Sequence, residues 1–157
     1  MKKSQKGFTL VELIVVIAII GILAAILVPS MMGYVKKSKQ KSANSNAKLV
    51  YTTVNGAVSD LIADGKVSQV VAEPGFTGTL PINAGASATN KALKDAIDVA
   101  MADNGSSSGA VAYTITAQKK IAWAQWADSS TATELIGQYP NPETDPDATH
   151  TFGTSFN

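Results

Sequence analysis

The sequence KGFTLVELIVVIAIIGILAAILVPS, residues 6–30, decides how this chain is built. From Leu13 to Val28 it contains sixteen residues without a charge and without Asn, Gln, Ser or Thr. Extended back to Phe8, the run has twenty-one residues and one ionisable group, Glu12. About 20 apolar residues are needed to cross ~30 Å of hydrocarbon as a helix. A helix inside a soluble domain of this size could not shield apolar side chains on every face, so the stretch predicts a membrane-spanning helix.

Two ordinary explanations compete for this segment. A secretory signal peptide has a short apolar core and then small residues at its cleavage site, which Ala24-Ala25 would supply. The apolar run nevertheless continues through Val28. A plain membrane anchor accounts for the length but not for Glu12. A carboxylate in the apolar part of a membrane helix costs roughly 2.5–3.5 kcal/mol at the helix centre and less near an end, so it normally marks a function with a partner.

Residues 1–36 closely resemble the class III signal sequence of type IV prepilins and pseudopilins. The resemblance is carried by Lys6-Gly7-Phe8-Thr9-Leu10-Val11-Glu12 and the apolar run behind it. It implies that a prepilin peptidase removes residues 1–7 by cutting between Gly7 and Phe8, and that the new Phe8 amine is methylated. Glycine suits this position because its missing Cβ lets a membrane-embedded protease approach the backbone.

The same resemblance gives Glu12 a partner, since the matching carboxylate of pilins faces the N-terminal amine of a neighbouring subunit. Coulomb's law gives ~4 kcal/mol for unit charges 4 Å apart at an effective dielectric of 20, before desolvation is subtracted. A subunit docked out of register would leave the carboxylate buried and unpaired, at a cost of ~3–5 kcal/mol. We therefore expect Glu12 and Phe8 to act in subunit assembly, with Glu12 setting the register. Pro29 stands where the family carries a proline, and it predicts a kink or a local break in the helix.

The charges are distributed unevenly, although they sum to only +1. From Leu49 onward five Lys stand against eleven Asp and Glu, which leaves a net charge of −6. A basic collar on an apolar helix and an acidic body do not resemble a nucleic-acid binder, and without Arg there is no bidentate phosphate ligand. The lysines that flank the apolar run are Lys2, Lys3 and Lys6 before it, and Lys36, Lys37, Lys39, Lys41 and Lys48 after it. The leader lysines are expected to stay cytoplasmic, as the positive-inside rule requires.

Catalysis finds no support in the sequence. The chain has no cysteine, which excludes disulfides and thiolate chemistry and departs from the disulfide-closed C-terminal region common in Gram-negative pilins. His150 is the only histidine and stands in a Thr-rich tail, which predicts a lone solvated side chain. We expect no enzymatic activity, no cofactor and no metal site. One alternative remains open: Glu143, Asp145 and Asp147 are possible calcium ligands, against the simpler prediction of a solvated acidic loop.

The helix is expected to continue far beyond the apolar run. Val50, Val54, Ala57, Val58, Leu61 and Ile62 form one apolar stripe at helical spacing, suited to a sheet. Asp64-Gly65 predicts the helix end, so a helix from Phe8 would be roughly 84 Å long. Ser38 to Asn46 is polar and poor in helix formers, which predicts a flexible stretch. The predicted organisation is a leader (1–7), a protruding N-terminal helix (8–48) and a globular head (49–157).

The body of the chain predicts a small sheet. Proline and glycine residues interrupt residues 66–87, which are predicted to be irregular. A helix is predicted from Thr89 or Asn90 to about Met101, and a loop over residues 104–109. Ala110 to Ala117 and Lys120 to Ala127 predict a hairpin around Gln118-Lys119, and Glu134 to Tyr139 a further strand. The expected pairs are Val111 with Trp126, Tyr113 with Ala124 and Ile115 with Ala122, which would place one apolar face on the helix and leave Ile121, Trp123 and Gln125 on the other. Trp123 is then either half-exposed or at a subunit contact.

These observations predict an α+β pilin fold, in which the C-terminal half of a long N-terminal helix packs on a small antiparallel sheet. The expected function is that of a structural subunit of a type IV pilus. Its partners would be copies of itself, the prepilin peptidase, the assembly machinery and the cytoplasmic membrane, and its final location an extracellular filament. A pseudopilin of type II secretion or a competence system is the alternative within the same machinery. A membrane-tethered binding domain that borrows the export signal is the alternative from another class.

Overall fold

A computed structural model describes residues 8–66, 78–81, 91–102, 109–116 and 118–156. The leader with Gly7, residues 67–77, the predicted cap at Thr89 or Asn90 and most of the 104–109 loop lie outside these ranges. The elements are α1 (Leu10–Ala63), β1 (Gly78–Pro81), α2 (Lys91–Met101), β2 (Ala110–Ile115), β3 (Ile121–Ala127) and β4 (Gly137–Tyr139). The strands form one antiparallel sheet in chain order. The predicted α+β architecture, with a long N-terminal helix and a small antiparallel sheet, is confirmed.

The residues fall into two compact units, one up to Val35 and one from Lys36. In the first unit every residue of α1 is exposed. The helix runs without interruption through Pro29, so the predicted local break is wrong, while the kink stays a prediction. A proline removes only the one hydrogen bond that its own nitrogen would have donated, and the bonds of the turns on either side hold the helix together.

In the second unit α1 lays one stripe of side chains into the core. The predicted stripe is confirmed at Val50, Val54, Val58 and Leu61, all of which are buried. It is wrong at Ile62, which remains 42% exposed because it lies 100° around the helix from Leu61. On the N-terminal side the stripe extends further than predicted, through Gln40, Ala43 and Ala47.

Helix α1 ends where the sequence predicts. Gly65 adopts the left-handed conformation, with φ of 72°. Its N–H donates to the carbonyl of Ile62 at 3.1 Å, and the N–H of Lys66 donates to the carbonyl of Leu61 at 2.8 Å. These two bonds are the pattern of a Schellman C-cap, which satisfies carbonyls that the helix leaves open.

Helix α2 confirms the predicted helix before the hairpin. Leu93, Ile97 and Met101 are buried and join the core formed by α1 and the sheet. This face follows the i, i+4 and i+8 spacing of an amphipathic helix.

The hairpin of β2 and β3 confirms two of the three predicted pairs. Val111 opposes Trp126 and Tyr113 opposes Ala124, but Ile115 opposes Ile121 rather than Ala122. The N–H of Thr116 donates to the carbonyl of Lys120, so three residues separate the two at the turn. A three-residue loop shifts the pairing of β2 with β3 by one residue. A bulge between the pairs Thr114–Trp123 and Ile115–Ile121 shifts the pairing back.

The bulge therefore preserves the apolar face that a three-residue loop would otherwise spoil. Ala122 is the extra residue and is exposed, whereas Ile121 is buried and lies in the core with Ile115. Lys119, at φ of 60°, ends the turn in the left-handed conformation that such loops require. The placement of Ile121 on the opposite face was wrong for this reason.

The second face of the sheet is covered by the C-terminal segment, residues 140–156, which shows no regular sequence pattern. A second apolar cluster forms there, with Ile136 and Phe152 buried and Trp123 and Phe156 partly buried. Trp123 is thus half-buried within the subunit, which agrees with the first of its two predicted placements. Gln125, predicted on this second face, is fully buried.

Two buried glutamine side chains fix the C-terminal segment to the sheet. Gln125 donates to the carbonyl of Thr154 at 2.6 Å and accepts from the N–H of Gly153 at 2.8 Å. Gln138 donates to the carbonyl of Phe156 at 2.7 Å and accepts from its N–H at 3.0 Å. The two amides also bond each other at 3.0 Å. Buried amides need hydrogen-bond partners, and the backbone of the C-terminal segment supplies them to these two glutamines of the sheet.

The polar stretch of α1 is regular helix, and its amides bind Ile136, strand β4 and the segment after that strand. Gln40 Nε2 donates to the carbonyl of Ile136 at 2.9 Å. Asn44 donates to the carbonyl of Glu143 at 2.6 Å and accepts from the N–H of Gln138 at 3.3 Å. The prediction of a flexible stretch was wrong, because these side chains bond tertiary partners rather than their own backbone.

Candidate functional site at the start of the N-terminal helix

The first turn of α1 is closed by a reciprocal pair of side chains. Thr9 stands at the N-cap, and its hydroxyl oxygen accepts from the N–H of Glu12 at 3.3 Å. Glu12 Oε2 accepts in return from the N–H of Thr9 at 2.8 Å and from its hydroxyl at 2.6 Å. This is a capping box. The N–H groups of Thr9 and Glu12 have no acceptor within the helix, and each is bonded by the side chain of the other residue.

Thr9 is a site residue that sequence reasoning missed. The signal was available, because a Thr followed three residues later by Glu, directly ahead of an apolar run, is the sequence pattern of a capping box. The carboxylate also opposes the positive end of the helix dipole. Glu12 therefore has a local structural role in addition to any partner outside the subunit.

Only one of the two oxygens of the Glu12 carboxylate takes part in the cap. Both bonds from Thr9 go to Oε2, and Oε1 has no partner among the residues that the structure describes. A carboxylate offers about four acceptor positions, so one oxygen can hold the cap while the other receives a positive charge. Phe8, the predicted partner in assembly, directly precedes the cap and is 83% exposed.

The helix behind the cap presents apolar side chains on every side. Large apolar residues from Leu10 to Val35 are between 45% and 76% exposed, the latter at Tyr34. By length and composition this helix could cross a membrane. A contiguous apolar surface of this extent marks an interface with a membrane or with other proteins.

The acidic residues near the C terminus are held by donors of the protein. Glu143 Oε1 accepts from the N–H groups of Thr144 and Asp145, each at 2.7 Å. The hydrogen bond from the N–H of Asp145 is the main cause that lowers the pKa of Glu143, and the bonds from His150 and Thr144 lower it further. Asp147 pairs with Lys36 at 2.5 Å, and this carboxylate raises the pKa of Lys36. Within the described ranges no three acidic or histidine side chains are placed to hold a metal ion together.

His150 is not the lone solvated side chain that the sequence predicted. Its ring stacks on Phe156 with centroids 3.9 Å apart, and Nε2 lies 2.6 Å from Glu143 Oε2. Its backbone N–H donates to the carbonyl of Thr133. Glu143 is likewise only 17% exposed, so the description of a solvated loop fits Asp147, at 70%, better than Glu143. These contacts give His150 and Glu143 a structural role in holding the C-terminal segment.

Fold and site together define an α+β protein joined to an apolar N-terminal helix whose first turn is closed by a carboxylate. The family model described as the prokaryotic N-terminal methylation motif matches residues 2–28. The type IV major pilin protein of Myxococcus xanthus (strain DK1622) is 47% identical over 56 residues, which are 36% of this chain and 26% of that protein. The type IV major fimbrial protein of Dichelobacter nodosus is 45% identical over 60 residues, 38% of each chain. A fimbrial protein of Pseudomonas aeruginosa is 36% identical over 78 residues, 48% of this chain and 51% of that protein.

These similarities confirm the predicted resemblance to type IV pilins. The chain spans between 26% and 51% of the length of these relatives. No solved structure matches it.

Proposed function

We propose that this chain is a structural, non-catalytic pilin subunit. It is made as a precursor whose residues 1–7 are removed by a prepilin peptidase between Gly7 and Phe8, after which the Phe8 amine is methylated. The helix of residues 8–48 first anchors the subunit in the cytoplasmic membrane, with its apolar part as a single span. The assembly machinery then joins these helices into the core of an extracellular filament, with the heads, residues 49–157, on its outside.

The observation that carries this proposal is the exposed apolar part of α1, up to Val35, with one carboxylate in its first turn. A contiguous exposed apolar surface needs lipid or other copies of the helix around it. The cap also survives the proposed cut, because the Thr9 N–H belongs to the peptide bond between Phe8 and Thr9. Glu12 Oε1 then stands ready for the amine of a neighbouring subunit.

The test is the N terminus of the chain in filaments sheared from the cell surface. Intact-protein mass spectrometry is expected to give a mature chain that starts at methylated Phe8. A start near Ile26 would refute the proposal and indicate an ordinary signal peptide. Electron microscopy of the same material is expected to show long fibres that contain the chain, and their absence at native expression would favour a pseudopilin instead.

A further inference from the structure

Lysines follow the apolar helix directly. Residues 13–35 carry no charged side chain, and four lysines then occur within the next six residues, Lys36, Lys37, Lys39 and Lys41. An uncharged helix of this length measures about 34 Å, slightly more than the ~30 Å of a hydrocarbon core. Tyr34, 76% exposed, stands immediately before the lysines. An aromatic residue beside basic ones is typical of a membrane–water interface.

Three of these lysines have no acidic partner in the part of the chain that the structure describes. Lys36 pairs with Asp147 and Glu134. Lys37, Lys39 and Lys41 are exposed, and their side chains form no ion pair or hydrogen bond with any residue that the structure describes. Lys66, Lys91 and Lys94 do pair with acids, namely Asp64, Asp95 and Asp98, whereas Lys48 and Lys120 form no ion pair with a described residue. Three of the lysines without an acidic partner thus lie within five residues of α1, from Lys37 to Lys41.

The orientation of the precursor makes this concentration unexpected. With the leader in the cytoplasm, Lys37, Lys39 and Lys41 lie on the translocated side of the membrane. The positive-inside rule disfavours lysines there, so they oppose the orientation that the leader sets. Lysines at such a position are expected to have a negatively charged partner on that side of the membrane.

We infer that Lys37, Lys39 and Lys41 bind the anionic headgroups of the outward-facing leaflet while the subunit waits in the membrane. At 100° per residue Lys37 and Lys39 project about 200° apart on the helix. A membrane surface surrounds the helix and meets both sides, whereas one docked protein would meet a single side. This inference rests on the membrane stage of the proposed function, and it adds that the lipid composition controls how firmly the unassembled subunit is held.

The expected strength follows from the three charges. Each lysine near an anionic surface contributes about fivefold, which is ~1 kcal/mol at 1.4 kcal/mol per tenfold. Screening reduces the combined effect, since the Debye length is ~8 Å at physiological salt. We expect removal of all three to lower the preference for anionic lipid by at least about fivefold.

The test uses the full-length chain reconstituted into phosphatidylcholine vesicles with a minor fraction of phosphatidylglycerol. Spin-labelled phosphatidylglycerol and phosphatidylcholine report the relative association of each lipid with the protein. The variant is the triple substitution Lys37→Gln, Lys39→Gln and Lys41→Gln. A matched control removes three lysines of the body by Lys66→Gln, Lys91→Gln and Lys120→Gln. The wild type and the control are expected to prefer phosphatidylglycerol equally, while the preference of the variant falls by at least about fivefold and depends less on salt.

Each other outcome decides against the inference. A variant that keeps the wild-type preference would overturn it and leave the proposed function untouched. A variant with unchanged lipid preference that no longer forms filaments would assign the lysines to a neighbouring subunit. A wild-type chain that fails to insert, seen as extraction from the vesicles at alkaline pH, would overturn the membrane stage of the proposed function together with the inference.

Discussion

Glu12 has two physical roles, capping its own helix and supplying a negative charge, and three substitutions separate them. Glu12→Gln keeps an acceptor for Thr9 but removes the charge, since Gln serves in a capping box as well as Glu does. Thr9→Ala keeps the charge but removes the hydroxyl that bonds both the N–H and the carboxylate of Glu12. Glu12→Ala removes both roles.

The two losses differ in size. An N-cap hydroxyl is worth about 0.5–2 kcal/mol, mostly as fraying of the first turn. An amine that is buried in a filament without its carboxylate costs ~3–5 kcal/mol, which is on the order of a hundredfold or more in assembly. We therefore expect Thr9→Ala to form filaments in somewhat reduced amount. Glu12→Gln should abolish or disorder them as Glu12→Ala does, while export and head folding stay normal.

The assay compares the yield of sheared filaments with the amount of subunit in the membrane fraction, and electron microscopy reports the order of the fibres. Protease resistance of the head serves as the control for folding. Normal fibres from Glu12→Gln would refute the reasoning about charge. If Thr9→Ala were as defective as Glu12→Ala, helix capping alone would account for the loss, and Glu12 would have no role in register.

Three further predictions concern the head. Gly137→Ala would place a Cβ 2.0 Å from the carbonyl oxygen of Ala43, and since that neighbour is helix backbone we expect a loss of at least about 1–3 kcal/mol in urea unfolding. Gly56→Ala, in open space on the same helix, is the control and should be neutral or slightly stabilising. Gln125→Ala leaves the groups it bonds in the C-terminal segment unsatisfied, at about 1–3 kcal/mol for each one that stays buried. Hydrogen exchange there should accelerate, and unchanged exchange would contradict the role of this amide. The lowered pKa of Glu143 means that its stabilising contribution is complete above its ordinary value of about 4.3 and is lost as the pH falls through the lowered value. Thermal unfolding between pH 7 and pH 3 should therefore depend less on pH in Glu143→Gln, and identical pH profiles would exclude this contribution.

Periodic and local signals in the sequence predicted much of the fold. The apolar stripe from Val50 to Leu61 and the helix end at Gly65 followed from helical spacing and from the glycine after it. The hairpin register was right at Val111 and Tyr113, because only that register puts the apolar residues on one face. It failed next to the turn, where a bulge and a left-handed Lys119 absorb one residue. A bulge depends on backbone geometry that alternation of side chains does not encode.

The C-terminal segment could not be predicted, for a different reason. Its two aromatic anchors, Phe152 and Phe156, are isolated in a polar stretch and have no period. The residues that fix it are polar, and Gln125 and Gln138 gave no sign of burial in the sequence. Long-range bonds from buried amides decide this part of the fold, and only the tertiary structure brings donor and acceptor together. The polar stretch of α1 was misjudged in the same way, since Asn44 bonds residues almost a hundred positions later.

The position of the cap links the fold of the helix to the proposed processing. Helix α1 begins at Leu10, and Phe8 and Thr9 precede it in non-helical conformation. The capping box fixes that start. The hydroxyl of Thr9 bonds the N–H of Glu12, and the carboxylate of Glu12 bonds the N–H of Thr9, so these two donors no longer favour fraying or a longer helix. Phe8, on the C-terminal side of the proposed cut, thus stands two residues before the first residue of the helix.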